Sequence, residues 1–366
     1  MYVLKTLMNQ YLRSIITVFG IALCVILMLF LLSIYKGSAD GSVEYIRSCK
    51  ADIWVLQNNA TNILRNSSLL PATYGSVLQN IPGVKSVSPV LFTTASIKLP
   101  EHAASILLTG YDLQAPNGGP PSLFKGKNVS RDDEIVLDRS FAGKYKIRIG
   151  DKVCIKTDSL VVSGLSNGTN MFVFQYAFIT LKKARELIGF PSIVSVFQIN
   201  ADSGIPCSDV IDRINSKIPN VAVFDKPAFL DNNMYEMKSG IMPLLYVVTV
   251  IGAIILTAIL SLILTVNVLE QRKDYAIMKA LGSPVGFISG LVIRQALILA
   301  GTSMALAIIL FFPLIRLVEK VSPEISAESS VLQIAIVLVS LLVISLISSA
   351  IPILRLRHIY PLEVFH

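Results

Sequence analysis

The chain has 366 residues, 53% of them hydrophobic and only 15% charged, with a mean hydropathy of +0.65. Ordinary soluble domains carry about 25% charged residues, so the composition excludes a simple water-soluble protein and points to a membrane protein. The formal charge of +8 comes with no nucleic-acid-binding motif, which excludes the other common source of a basic balance.

In chain order, the first long apolar run is Ser14 to Tyr35, enough for a helix across a hydrocarbon core that needs about 20 residues. It is longer than the core of a cleaved signal and runs into Tyr35-Lys36-Gly37 with no A-x-A site, so it reads as an uncleaved span. Residues 36–238 follow as a soluble-like insertion with mixed signals. Ala51 to Gln57 alternates like a strand, and Pro71 to Asn80 reads as a short helix opened by a proline. Val84 to Pro89, Ala95 to Leu99 and Ser105 to Tyr111 read as strands, and the Pro/Gly-rich Ala115 to Pro121 interrupts them. Strands resume at Glu134–Leu137, Lys152–Lys156, Leu160–Leu165 and Val173–Ile179. Leu181 to Ile188 reads as a helix, Val194 to Asn200 as a strand, Ser208 to Lys217 as a helix and Val221 to Phe224 as a last strand. Both ends of the insertion carry a helix, then Ile81-Pro82-Gly83-Val84 or Ile218-Pro219-Asn220-Val221, then a strand. That repetition predicts a two-lobed α+β part, about residues 39–110 and 192–235, holding a β-rich insertion at about 111–191.

Three more spans follow: Ile241 to Val268, roughly Phe287 to Ile315, and Val331 to Leu354. Arg294 is the one formal charge in these runs and is placed at an interface with its stem snorkelling. The fold class is therefore membrane α-helical, with four transmembrane helices and an inserted α+β extracytoplasmic domain. Lys5 and Arg13 precede span 1, Arg272, Lys273, Lys279 and Arg294 lie between spans 2 and 3, and Arg355 and Arg357 follow span 4. With four crossings these share one side, which the positive-inside rule makes the cytoplasm. The eight basic residues there face only Glu270, Asp274 and Glu363, so most of the net charge records topology. Residues 269–286 become a cytosolic loop, 316–330 an external loop, and 355–366 a cytosolic tail.

Chemistry-bearing signals are sparse. Cys24 lies in span 1, while Cys49, Cys154 and Cys207 are scattered outside, which argues against a disulfide framework. With only His102, His358 and His366, a His/Cys metal site is not expected. The sequons at Asn59, Asn66, Asn128 and Asn167 would matter only in a secretory pathway. No G-x-x-x-x-G-K-[ST], G-x-S-x-G or H-E-x-x-H motif occurs, so the chain offers no ATPase or hydrolase site.

The most informative segment follows span 2: Glu270, Gln271, Arg272, Lys273, Asp274, Tyr275, Ala276, Ile277, Met278, Lys279, Ala280, Leu281, Gly282 and Ser283. Tyr275, Met278 and Leu281 recur at i, i+3 and i+6, Ile277 and Leu281 are one turn apart, and Gly282 with Pro284 stops the helix. A short amphipathic helix of this kind suits a groove on a cytosolic partner; the alternative is a helix lying on lipid headgroups.

This segment resembles the E-R-x-[RK]-E-[IF]-[GA]-x-[LM]-[RK]-A-[LI]-G-A signature of the FtsX/MacB-like ABC transporter permeases, with Gln271, Asp274 and Ser283 in place of the usual Arg, Glu and Ala. Leu12-Arg13-Ser14 with Thr17-Val18-Phe19-Gly20-Ile21-Ala22 is similar to the family's first helix, and Pro352, Arg355 and Tyr360-Pro361-Leu362-Glu363-Val364 to its C-terminal ending. The resemblance implies a mechanotransmission-type permease in the inner membrane of a bacterium, both termini cytosolic. Residues 1–13 would be an amphipathic elbow helix, and the inserted domain a MacB-type periplasmic core. Two permease copies, as a homodimer, would pack through helices 1 and 2 above two copies of a separate cytosolic ATPase. ATP and Mg would be bound there, with no cofactor in this chain. Glu270, Arg272, Lys273, Asp274, Tyr275, Met278, Lys279, Leu281 and Gly282 would form the ATPase-coupling helix. Membrane lipid, and in some systems a periplasmic adaptor and an outer-membrane channel, complete the implied partners.

Gln295-Ala296-Leu297-Ile298-Leu299-Ala300 is similar to the glycolipid- and haem-exporter branch, whose substrates are hydrophobic or amphipathic. A candidate substrate region is Met234, Tyr235, Glu236, Met237 and Met242 with Tyr35, against ordinary packing of a stalk in which Met fills gaps and Tyr marks the membrane edge. The leading function is export of a lipid, haem, peptide or drug. The alternatives are a signalling permease that switches a cell-wall hydrolase or an antibiotic sensor, and a membrane-bound enzyme that lacks a visible catalytic constellation.

Overall fold

The computed structural model describes residues 11–63, 68–98, 103–171, 174–321 and 330–357. The chain divides into two compact units: residues 37–242 with 318–326, and residues 1–36, 243–317 and 327–366.

The first unit is built on a ten-stranded sheet. Near one edge, β1 (Ile53–Gln57) lies between β11 (Val196–Ala201) and the edge strand β12 (Val221–Asp225), antiparallel to both. Alternation predicts one wet face for β1, yet four of its five residues are buried. Both faces are covered: Ile53 and Val55 enter one apolar core, Trp54 and Leu56 another. Trp54 stacks on Phe229 at 4.6 Å between ring centroids, and Tyr45 stacks on Tyr176 at 4.7 Å.

The strand β3 (Val84–Lys98) is one 15-residue element where the sequence pattern predicts two strands. Thr93 and Thr94 break the apolar alternation, but β-branched residues keep the extended backbone. The first half of β3 pairs with β11 and the second half with β4 (Ala103–Tyr111), so one strand reaches from one part of the sheet into the next. The short β7 (Lys152–Ile155) pairs with β3 and with β8 (Asp158–Asn167). Through β6 (Glu134–Asp138) and β9 (Tyr176–Thr180) the pairing then closes on itself, β3-β4-β9-β6-β8-β7, as a small barrel. Outside the circuit, β5 (Ser122–Gly126) forms the last edge against β8.

The repeated turns are alike in conformation. Gly83 has φ 95° and Asn220 φ 62°, the left-handed region that these two residue types reach most easily. Each turn follows a helix, α2 (Tyr74–Gln79) or α5 (Cys207–Lys217), whose Leu78 or Val210 and Ile214 enter the same core. The predicted helix from Pro71 is shorter: Leu70–Pro71 form β2, paired with β10 (Ile193–Val194). A six-residue helix, α3 (Arg139–Lys144), escapes the sequence pattern. Asp138 caps it, accepting from the backbone N–H of Ser140 at 2.7 Å and of Phe141 at 3.3 Å. Burial pushes the Asp138 carboxyl above the usual carboxylate range.

The second unit holds the apolar helices, and among the described residues four are long and apolar enough to cross a membrane. α1 (Tyr11–Ser48) and α6 (Lys226–Glu270) are continuous elements that begin or end in the other unit, and α8 (Val285–Val321) and α9 (Val331–Ser348) complete the set. Ile21, Val25 and Leu29, Leu256, Leu260 and Leu264, Ala300, Met304, Ala307 and Phe311, and Val337, Leu341 and Ile344 meet in one core at helical spacing. Polar contacts tie the helices: Gln333 Nε2 donates to the Leu32 carbonyl at 3.1 Å and Ser348 Oγ to the Thr257 carbonyl at 3.2 Å. The fourth run is interrupted at Ser349, where the sequence reads as one helix. Ser348 and Ser349 donate to carbonyls one turn back, and the helix restarts as α10 (Ala350–Arg357). The predicted elbow helix lies mostly outside the described residues, as does the C-terminal motif beyond Arg357.

Gly110 on β4 lets α4 (Leu181–Ile188) lie directly on the sheet, because a β-carbon there would overlap that of Ala184. Gly110→Ala therefore lowers stability by about 1–3 kcal/mol, read as a fall in thermal midpoint of the full chain in detergent. Adding Ala184→Gly recovers part of that loss.

Candidate functional site

The segment after α6 is built as a bracket. α6 ends at Glu270, Gln271 takes the turn with φ −91° and ψ 13°, and α7 (Arg272–Ala280) begins at once. The backbone ladder carries through the bend, from Gln271 N–H to the Asn267 carbonyl at 3.1 Å and from Tyr275 N–H to the Gln271 carbonyl at 3.0 Å. The C-terminus is a complete Schellman cap. Ser283 N–H donates to the Met278 carbonyl and Gly282 N–H to the Lys279 carbonyl, both at 3.0 Å, with Gly282 at φ 86°.

Tyr275, only 2% exposed, belongs to one apolar core with Val268, Ile288, Leu291, Val292 and Leu356, and Met278 packs against that core. Its hydroxyl donates to Gln271 Oε1 at 3.2 Å, one turn back. Gln271 Nε2 and Asn267 Oδ1 are buried and have no partner among the described residues. Lys279 Nζ donates to the Leu356 carbonyl at 2.9 Å, which ties α7 to α10. Inward contacts thus hold α7 from both ends.

The outward face differs from the one the sequence spacing predicts. Tyr275, Met278 and Leu281 do not share a face, since six residues at 3.6 per turn leave Tyr275 and Leu281 about 120° apart. Leu281, the C-cap, is 81% and Ile277 44% exposed, and these two, one turn apart, are the large apolar side chains that α7 and its cap present. Glu270, Arg272, Lys273 and Asp274 are exposed beside them, and Gly282 is exposed at the tip. Gln271 and Leu356 are the contributors that sequence reasoning passes over. Gln271 and Tyr275 at i, i+4 carry a readable signal; Leu356, distant in sequence, carries none.

The candidate substrate residues are not gathered in the same way. Met234, Tyr235 and Glu236 are consecutive on α6, so they point about 100° apart. Tyr235 is 69% exposed, while Met234 and Glu236 are half-buried. The side chains of Met237 and Met242 lie outside the described residues, and Tyr35 is half-buried on α1. Among the described residues no three His, Cys, Asp or Glu side chains gather as metal ligands. What α7 offers chemically is a fixed projection with an apolar tip and charged flanks.

Comparison with known proteins gives two family matches: residues 246–361 to the FtsX-like permease C-terminal model, and residues 14–217 to the MacB-like periplasmic core domain model. An uncharacterized ABC transporter permease of Mycobacterium tuberculosis is 23% identical over 303 residues, covering 81% of each chain. A Staphylococcus haemolyticus protein, named for a hemin transport system permease, is 20% identical over 348 residues, covering 92% of this chain and 91% of that one. The periplasmic region of MacB from Actinobacillus actinomycetemcomitans is 12% identical, with a TM-score of 0.40, covering 52% of this chain and 96% of the other.

The bracket separates two kinds of variant. Tyr275→Asp puts an unpaired carboxylate in an apolar core and costs about 3 kcal/mol or more. Leu281→Asp, at an exposed cap, stays within about 0.5 kcal/mol of wild type. Thermal unfolding of the two purified variants in detergent makes the comparison.

Proposed function

The chain belongs to the ABC transporter permeases that join a MacB-like periplasmic core domain to an FtsX-like C-terminal region, and on that premise we propose that it is the permease subunit of an ATP-driven exporter. It is a membrane protein with four apolar helices, and the basic flanks of those helices support cytosolic termini and a cytosolic α7. Two copies of a separate ATPase subunit would bind and hydrolyse ATP with Mg, and two permease copies would stand above them.

The observation that carries this reading is the exposed Ile277–Leu281 pair on a helix whose other face is locked by Tyr275 and Lys279. A knob held on its own chain passes a push onward instead of bending away from it. α1 runs on through Lys36 and α6 through Met242, where the chain passes from one unit to the other; Pro243 removes one N–H from the α6 ladder there, yet the helix continues past it, which supports transmission along helices. Export would then proceed by movement of the outer unit. A hydrophobic or amphipathic substrate is supported by the hemin named for the staphylococcal relative. A periplasmic adaptor and an outer-membrane channel remain part of this reading.

Co-purification with the cognate ATPase tests it. Ile277→Asp with Leu281→Asp removes two apolar anchors worth about 1.5–3 kcal/mol each when buried. ATPase recovery should fall at least about tenfold while the variant purifies at the wild-type yield. ATPase retained at wild-type stoichiometry would overturn the docking assignment.

A further inference from the structure

The outer unit carries one surface whose charge and apolar content the export reading leaves unused. It is formed by β5, at the far edge of the sheet path, and by α3 with the loop that follows it. Every residue of β5 is exposed. Across residues 122–130 and 139–150 the sequence has Lys125, Lys127, Arg139, Lys144, Lys146 and Arg148 and not one Asp or Glu. All six basic side chains are exposed.

The two segments lie together. The Arg139 guanidinium sits over the Phe124 ring at 5.6 Å, and Gly126 is so close to Ile149 that a β-carbon would meet its Cδ1 at 2.9 Å. Among the described residues no ion pair holds Lys125, Lys127, Lys146 or Arg148. The nearest acidic cluster is already engaged: Arg131 pairs with Asp133 at 3.7 Å and with Glu134 at 3.0 Å, and Lys182 with Asp132 at 2.9 Å. Asp151 accepts from the Arg148 backbone N–H at 2.7 Å.

The centre of the surface is apolar. Phe124 is 60% exposed, and Leu123 and Ile149 are also exposed large side chains. The pairing of β5 with β8 slips between Leu123 and Lys125, which leaves Phe124 as the extra residue and turns it outward. That bulge, with Lys125 and Lys127 beside it, blunts the edge against addition of another strand. An exposed Phe–Arg pair flanked by Leu and Ile, with exposed lysines around it, instead has the make-up of a protein contact: aromatic and Arg anchors at the centre and charges that steer encounter at the rim.

We propose that Leu123, Phe124 and Ile149, within the basic ring of Lys125, Lys127, Arg139, Lys144, Lys146 and Arg148, form a docking surface for a protein partner with an acidic face. This goes beyond the export reading and does not depend on ATPase docking at α7.

The test uses the full chain in its own membranes, with p-benzoylphenylalanine, a photo-crosslinking amino acid, placed at position 124, and at Val77 on α2 as an exposed control. Irradiation should give a discrete protein adduct at position 124 and not at position 77, and mass spectrometry should identify a protein with a negatively charged face. Combining Lys125→Glu, Lys127→Glu and Arg148→Glu should lower that adduct at least about tenfold with an unchanged thermal midpoint. The milder pair Lys125→Gln and Lys127→Gln, which keeps the fold, should lower it less, in the same direction. Adduct to phospholipid alone, no adduct, equal adduct at both positions, or a yield insensitive to these charge changes would each overturn the proposal.

Discussion

Tyr275 turns a helix too short to stand alone into a fixed projection. Isolated helices below about 12–15 residues are marginal in water, and α7 spans nine. Its shape therefore depends on tertiary contacts, and these converge on one side chain that joins the core of Ile288, Leu291, Val292 and Leu356 and closes a hydrogen bond to Gln271. The Lys279 contact to Leu356 and the Gly282 cap hold the other end. With one face spent on packing, the geometry leaves Ile277 and Leu281 outward. The docking reading rests on that division of faces.

The outer unit depends on a similar sharing of one element between two tasks. β3 pairs first with β11 and then with β4, and β7 returns to it to close the barrel. A strand paired with β11 along one stretch and with β4 and β7 along the next ties these parts of the sheet together. The core supports this tie, since Trp54, Tyr45 and Tyr176 are fully buried and stack with their neighbours. Such a body is suited to moving as a whole when the helices attached to it move.

Much of this was legible in the residues, for identifiable reasons. The four spans follow from length and apolar content alone, because nothing in hydrocarbon replaces the internal hydrogen bonds of a helix. Leu181–Ile188 was readable from its apolar spacing and its closing glycine, Gly189, which takes φ 81°. The Gly83 and Asn220 turns were readable because the two residue types share a backbone conformation. Other features were hidden by the physics of pattern itself. β1 was readable as a strand, but not the burial of both its faces, and β5 has no buried face to alternate against. The i, i+3, i+6 spacing of Tyr275, Met278 and Leu281 looked like one face only because the small angular drift of each step was neglected. Met234, Tyr235 and Glu236 looked like a cluster because adjacency in sequence was taken for adjacency around a helix.

The central claim is that α7 meets the ATPase through its tip. A single cysteine placed by Leu281→Cys, in a chain otherwise free of Cys24, Cys49, Cys154 and Cys207, can be cross-linked in membranes with a short bis-maleimide against a cysteine in the ATPase groove. The account predicts a permease–ATPase adduct from position 281, and none from a cysteine placed by Phe190→Cys in the outer unit. An adduct from position 190, or none from 281 while both subunits are present and folded, would contradict it.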